Sequence, residues 1–223
     1  MAQQDRAIRT RQTLLSAAAK VFEERGYQSA TISEILTTAG VTKGALYFHF
    51  PSKEHLAEGV LQEQGQQLPI PDRASKIQQL VDTVMVYAYR LQTDPMVQAG
   101  VRLTLDQQAH GLDRSAPFTQ WGEIIQTLLD KAQSQGELLP HVVPAETAEV
   151  LVGSFAGVQA MSQAMRDHQD LLFRASALLR HVLPSVVLSS VLTSVDLSES
   201  RGAKVFAELQ ALEAEQAPPT SAG

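Results

Sequence analysis

Apolar residues recur at i, i+3, i+4 and i+7 along most of the chain. No alternating segment competes with that period, so an all-α protein without internal repeats is predicted. Leu14, Leu15, Ala18, Val21 and Phe22 stripe a first helix over about 5–25, which Gly26 stops. The stretch 31–50, TISEILTTAGVTKGALYFHF, reads as two short helices around a sharp break. Thr31 is an N-cap, and Glu34 three residues on completes a capping box. Ile32, Ile35, Leu36 and Ala39 form one face, and Gly40 ends the helix in the left-handed conformation that a tight C-cap needs. Thr42 caps the second helix, where Leu46 and Phe50 share one face and Lys43, Gly44 and Tyr47 another. Pro51 closes it, and Ser52 caps a fourth helix to about 67. Two prolines in 68–73 mark a linker. Further helices are expected over 75–92, 95–109, 117–134, 144–166 and 170–183, with a loop at 110–116 and a connection at 136–143. The apolar run 184–195 also reads as helical, and Ser198 caps a last helix to about 213.

Helix, glycine-bearing turn, helix is the helix-turn-helix pattern, and its second helix has the chemistry of a DNA reader. The first turn offers free backbone N–H groups and a positive dipole end. Lys43 is a donor-only side chain that reaches a guanine O6/N7 edge. Gly44 lets the backbone lie close to the bases and is otherwise a costly choice inside a helix. Thr42 offers a methyl or hydroxyl, and Tyr47 a phenol to phosphate. Arg6, Arg9 and Arg11 crowd the start of the first helix, where the dipole disfavours cations, and phosphate contact accounts for them. Lys53, in the first turn of the fourth helix, is a further phosphate candidate, and Thr31 and His49 complete the DNA-facing set.

Composition narrows the class. The 223 residues are 44% hydrophobic and 19% charged, as in a soluble globular protein, and no apolar run is long enough to span a membrane. MAQQDRAIRTRQ has no apolar signal region, and the absence of cysteine excludes disulfides and thiolate metal sites; a cytoplasmic protein is expected. The net charge of −6 divides unevenly, with +2 over residues 1–55 and −8 over the remainder, a mildly basic head on an acidic body. The six histidines are scattered outside any catalytic or metal motif, and Asp106 with His110 at i, i+4 reads as a solvated face. Neither an enzyme nor a resident metal or cofactor is expected.

Arg9–Thr10–Arg11, Ala17–Ala18, Phe22, Gly26–Tyr27, Tyr47–Phe48–His49–Phe50 and Lys53–Glu54 together resemble the TetR family of bacterial transcriptional repressors. The resemblance implies a three-helix DNA-binding domain over 1–52, a helical ligand-binding and dimerisation domain over 53–215, and a flexible tail over 216–223. It also implies a homodimer on double-stranded palindromic operator DNA. The density of Gly153, Ser154, Ala156, Gly157 and Ala160, with the apolar 170–183 helix, suits a four-helix dimer interface. VTKGALYFHF, AGVRLTLDQQ, the segment around Trp121, GELLPHV and SFAGVQ are similar to the γ-butyrolactone autoregulator receptors of actinomycetes, a TetR subfamily that controls antibiotic production and differentiation. That similarity implies that Trp121 lines a pocket for a small amphipathic effector. Val81, Met85, Val97, Val101, Ile125, Phe155 and Val158 are candidate walls, with Leu103 and Leu128 beside them. Gln64, Ser162 and Gln159 are candidate polar contacts, and Gln64 lies on the helix that joins the DNA head to the body. Within the family, the alternative is a pseudo-receptor that answers to an antibiotic or another hydrophobic small molecule.

Overall fold

The computed structural model describes residues 2–64, 70–105, 113 and 115–216. Among these residues the chain is all-α: α1 (Ala2–Ser29), α2 (Ile32–Ala39), α3 (Lys43–His49), α4 (Lys53–Gln64), α5 (Lys76–Thr93), α6 (Pro95–Leu105), α7 (Ala116–Ser134), α8 (Pro144–Arg166), α9 (Leu171–Val182), α10 (Ser189–Leu192) and α11 (Arg201–Gln216). No helix of the described residues is long and apolar enough to cross a membrane. The expected ends of the fourth helix at 67 and the sixth at 109, most of the 110–116 loop, and nearly all of the tail lie outside the described residues.

Contacts divide the chain into two compact units, Met1–Gln66 with Thr93–Gln120, and Gln67–Gln92 with Trp121–Gly223. The first is built on α1. Its apolar stripe is extended by Leu46, Phe50, Leu56, Ala57, Val60, Ala99 and Leu103, all buried in one cluster. α4 comes close enough to α1 that a methyl at Gly59 would meet Leu15 and the Phe50 ring, each at 2.9 Å. Gly26 leaves the helical conformation (φ 76, ψ 167), so the long first stretch of α1 stops there as expected, and a separate short helical turn follows the kink to Ser29. The Arg102 guanidinium of α6 lies against Gly26 and donates to the Glu23 carbonyl just before the kink. Lys53 closes the same corner. Its Nζ donates to the carbonyls of Ala30 (2.9 Å) and Gln28 (3.3 Å) and lies 4.6 Å from the centre of the Tyr27 ring.

The second unit is tied together by a buried charge. Asp82 on α5 has no exposed surface and accepts from Arg201 of α11 (2.6 and 2.7 Å), from Arg73 (2.7 Å) and from Gln78 (2.8 Å). Arg73 also forms a two-point pair with Glu208 of α11, at 3.0 and 2.6 Å. α11 can reach Asp82 because Gly202 packs directly on α5: a Cβ there would lie 2.4 Å from the Met85 carbonyl. Glu137 caps the start of α5 by accepting from the backbone N–H groups of Lys76 (3.0 Å) and Ile77 (2.8 Å). Between α9 and α11 the expected continuous helix over 184–195 is not formed. A single 3-10 turn, Leu183–Ser185, and the short α10 stand in its place. Residues 186–188 between them pair with 137–139 through Leu139 N–H to the Val186 carbonyl and Leu188 N–H to the Glu137 carbonyl, both 2.9 Å. These bonds satisfy backbone groups that a helix would have used internally, so apolar character alone misread the run.

Two stability predictions follow from these corners. Asp82→Asn leaves two guanidinium groups without their buried anion and should lower the urea midpoint by the equivalent of about 3–5 kcal/mol. Burial opposes ionisation of Asp82, but the bonds from Arg201, Gln78 and Arg73 outweigh it and hold the carboxyl below its usual range. Its contribution is therefore complete above the ordinary aspartate value of about 3.9 and is lost as pH falls through the depressed one. An unchanged midpoint in the variant would show that the cluster adds no stability. Tyr27 behaves in the opposite sense: burial and the neighbouring Glu54 carboxylate push its hydroxyl up to about 12. The stability it carries is complete below the usual tyrosine value of about 10 and is lost as pH climbs toward the raised one. Tyr27→Phe should remove part of the alkaline fall in melting temperature, followed by circular dichroism; profiles that superimpose would refute it.

Candidate nucleic-acid interface and effector pocket

The α2–α3 corner is held by local bonds at both ends of its turn. Thr31 caps α2: the Glu34 N–H donates to its Oγ1 (3.2 Å), while its own N–H (3.0 Å) and hydroxyl (2.8 Å) donate to Glu34 Oε2. Those bonds hold the Glu34 carboxyl below its usual range, with a smaller pull from Arg25. Gly40 adopts φ 64, ψ 28 and its N–H reaches the Leu36 carbonyl at 3.0 Å, ending α2 in one residue. Thr42 then caps α3 by accepting from the Ala45 N–H at 3.3 Å. Leu46 is fully buried, so the opposite side of α3 faces outward.

On that outer side Thr42, Lys43, Gly44, Tyr47 and Phe48 are exposed, and His49 is partly buried. Lys43 Nζ lies 5.8 Å from the centre of the Tyr47 ring, so cation and phenol share one flank. Arg6 and Arg9 of α1 are exposed, and Arg11, half-buried, holds its guanidinium 5.3 Å over the Phe50 ring at the end of α3. Thr31 and Lys53 already have protein partners, Thr31 in its cap and Lys53 on two carbonyls. Phe48, absent from the sequence-derived set, is 80% exposed. The missed signal was its i, i+4 spacing from Gly44, which puts it on the outermost line of the helix.

In the second unit, α5, α7 and α8 bring three rings together. Tyr87 lies 4.5 Å from Trp121 and 5.8 Å from Phe155, centre to centre, and all three remain partly accessible. Burial pushes the Tyr87 hydroxyl above its ordinary range, against the pull of the Arg90 charge and the Trp121 indole. Tyr87 is a second residue that sequence reading missed. It continues the edge of the α5 stripe three residues beyond Val84 and four before Leu91. Val81, Met85 and Ile125 are buried in this unit, and Val158 is half-buried. Val97 and Val101 are buried in the first unit. Ser162 is fully buried, and its hydroxyl donates to Asp170 at 2.6 Å in the α8–α9 turn, a structural partner in place of a free donor. The Gln64 side chain and the Asp106–His110 pair lie outside the described residues. Among the described residues no cluster of His, Asp and Glu could hold a metal ion.

α8 and α9 present a further feature. Val150, Met161 and Met165 of α8 and Phe173 of α9 are exposed, and nothing lies within 4 Å of where a Cβ would stand on Gly153 or Gly157. The small residues of α8 thus line an uncovered apolar face.

Comparison with known proteins agrees with this architecture. Residues 14–60, from the middle of α1 to α4, match the family described as bacterial regulatory proteins, tetR family. The A-factor receptor protein of Streptomyces griseus is 37% identical over 195 residues, covering 87% of this chain and 70% of that protein. The crystal structure of full-length TylP, a TetR regulator from Streptomyces fradiae, is similar with a TM-score of 0.82 and 42% identity over 94% of this chain and 93% of that one. A crystal structure of a gamma-butyrolactone receptor described as ArpA-like is 31% identical, with a TM-score of 0.66, over 95% of this chain and 100% of that one. Matched in its helix-turn-helix and along most of its length, the chain belongs to the TetR family of bacterial transcriptional regulators.

Proposed function

We propose that this TetR-type repressor binds palindromic duplex operator DNA as a homodimer and is released by a small amphipathic effector of the γ-butyrolactone type. In that role it controls antibiotic production or differentiation. The family is not enzymatic, and every chemical feature of α3 suits recognition rather than catalysis. Lys43 donates to a guanine edge, Gly44 allows close approach, and Thr42, Tyr47 and His49 serve the flanking backbone. Arg6, Arg9 and Arg11 add phosphate contacts, while Thr31 and Lys53 act by holding the α1–α2 corner that aims α3. The uncovered face of α8 and α9 supplies the dimer contact, because two readers one DNA turn apart must be joined about a two-fold axis.

The effector reading rests chiefly on the Tyr87–Trp121–Phe155 cluster. Three aromatic rings that pack closely yet stay partly accessible offer an apolar wall, and the Tyr87 hydroxyl is a neutral donor beside it. An uncharged lactone with an acyl chain matches such a wall. Release is a population shift: the effector binds the DNA-incompetent form more tightly, and its differential affinity sets how far the operator is freed. α4, which carries Gln64 at its end, links the two events along the chain.

A gel shift on palindromic DNA from upstream of the protein's own gene and its neighbours, with and without butyrolactone extract, tests this. The complex should form and the extract should dissolve it. A complex that the extract leaves intact would retain the repressor and assign it another hydrophobic effector, such as an antibiotic. Absence of any complex at low salt would refute operator binding. Lys43→Ala should weaken specific binding about tenfold to a hundredfold while effector binding is kept. Trp121→Ala should bind the operator normally but fail to let go, and normal release by that variant would remove Trp121 from the effector site.

A further inference from the structure

Among the described residues, Phe48 is the most exposed large hydrophobic side chain, at 80%. It is also the least suited to contact water or phosphate, because a phenyl ring can neither donate nor accept a hydrogen bond. Its position on α3 is specific. Leu46, fully buried, fixes which side of the helix faces the core, and Gly44 and Phe48, one turn apart, occupy the line opposite it. Helical side chains lean toward the N-terminus, so Phe48 projects from the same side of α3 as Gly44. No atom stands within 4 Å of where a Gly44 side chain would begin, which leaves that surface open. Lys43 and Tyr47 border it on one flank and His49 on the other, the His49 and Phe48 rings meeting edge-on at 5.0 Å. The centre of the presented face is therefore apolar and its margins are polar or cationic.

We propose that Phe48 reads thymine: in each half-site its ring covers the C5-methyl group of one thymine in the major groove. The inference rests on the operator reading above and adds a second specificity residue to Lys43. The thymine methyl is the apolar feature a base pair displays in that groove. It is thus the partner that a side chain without hydrogen-bonding capacity can distinguish. The open surface over Gly44 gives the ring room to lie flat against it, and the flanking cation and phenol keep the neighbouring phosphates and base edges in register.

The test begins with an operator selected from a random duplex library by the full-length protein. Each thymine is then replaced singly by deoxyuridine, which deletes only the methyl group, and affinities are measured for the native protein, Phe48→Ala and Phe48→Leu. At one thymine per half-site the native protein should lose about fourfold in affinity per methyl deleted. Phe48→Ala should be indifferent to the same replacement while responding normally to changes at the Lys43 contact. Phe48→Leu, which keeps an apolar surface, should retain part of the sensitivity and serves as the readout if Phe48→Ala binds too weakly to measure. Equal losses for native protein and variants at every thymine would overturn the assignment and leave operator binding standing. Failure of the native protein to select any duplex would instead overturn the operator reading, and this inference with it.

Discussion

A helix of seven residues cannot hold itself together in water, so the reading surface depends on the burial of Leu46 and Phe50. Leu46 anchors the middle of α3 and Phe50, the residue that ends it, anchors its C-terminus in the α1 core. Phe50 is gripped from three directions: by the cluster beneath it, by the Arg11 guanidinium, and by α4 at the close approach that Gly59 permits. The capping bonds at Thr31 and Thr42 and the left-handed Gly40 set the angle at which α3 leaves α2. Anything that alters the packing of α4 against Phe50 must alter the aim of α3, which ties reading to the core rather than to the surface residues alone.

The two units solve their packing differently. The first is built around an apolar cluster on α1, with cations used at its edges to close backbone carbonyls, as Lys53 and Arg102 do. In the second, a fully buried carboxylate gathers Arg73, Gln78 and Arg201, and through Arg73 also Glu208. An ion cluster of this kind adds little net stability over well-packed apolar residues, but it tolerates few alternative alignments. It sets the register of α11 on α5 and fixes the chain at Arg73, where it enters the second unit.

The helix pattern was legible because the signals that end helices are local. Thr31 with Glu34, Gly40, Asp94–Pro95 and Pro144 each act through their own backbone, and the helices begin or end at or beside them. The 184–195 run failed because its backbone partners lie at 137–139, a long-range pairing that no periodicity reveals. Gly26 was read correctly as a break, but not the short turn beyond it, where its carbonyl accepts from Ala30 and Arg102 from α6 lies against the kink. At the site, Lys43 and Gly44 on α3 were visible because their chemistry is unusual at those positions. Tyr87 and Phe48 were not, since a tyrosine beside an apolar stripe and a phenylalanine in an aromatic run look like ordinary core until burial is known. Ser162 shows the converse, a polar residue whose hydroxyl is already bound to Asp170 across the α8–α9 turn.

One consequence of the ring cluster is optical. Trp121 is the chain's sole tryptophan, so near-ultraviolet emission excited beyond the tyrosine band arises from a single place in the protein. Tyr87, its ring 4.5 Å away, passes its own excitation to the indole at that separation. A molecule that displaces water from the accessible edge of the indole changes the colour and lifetime of that emission. The protein thus carries a built-in, label-free reporter beside α5, α7 and α8, and the chemistry of an entering molecule can be followed in real time without any DNA present.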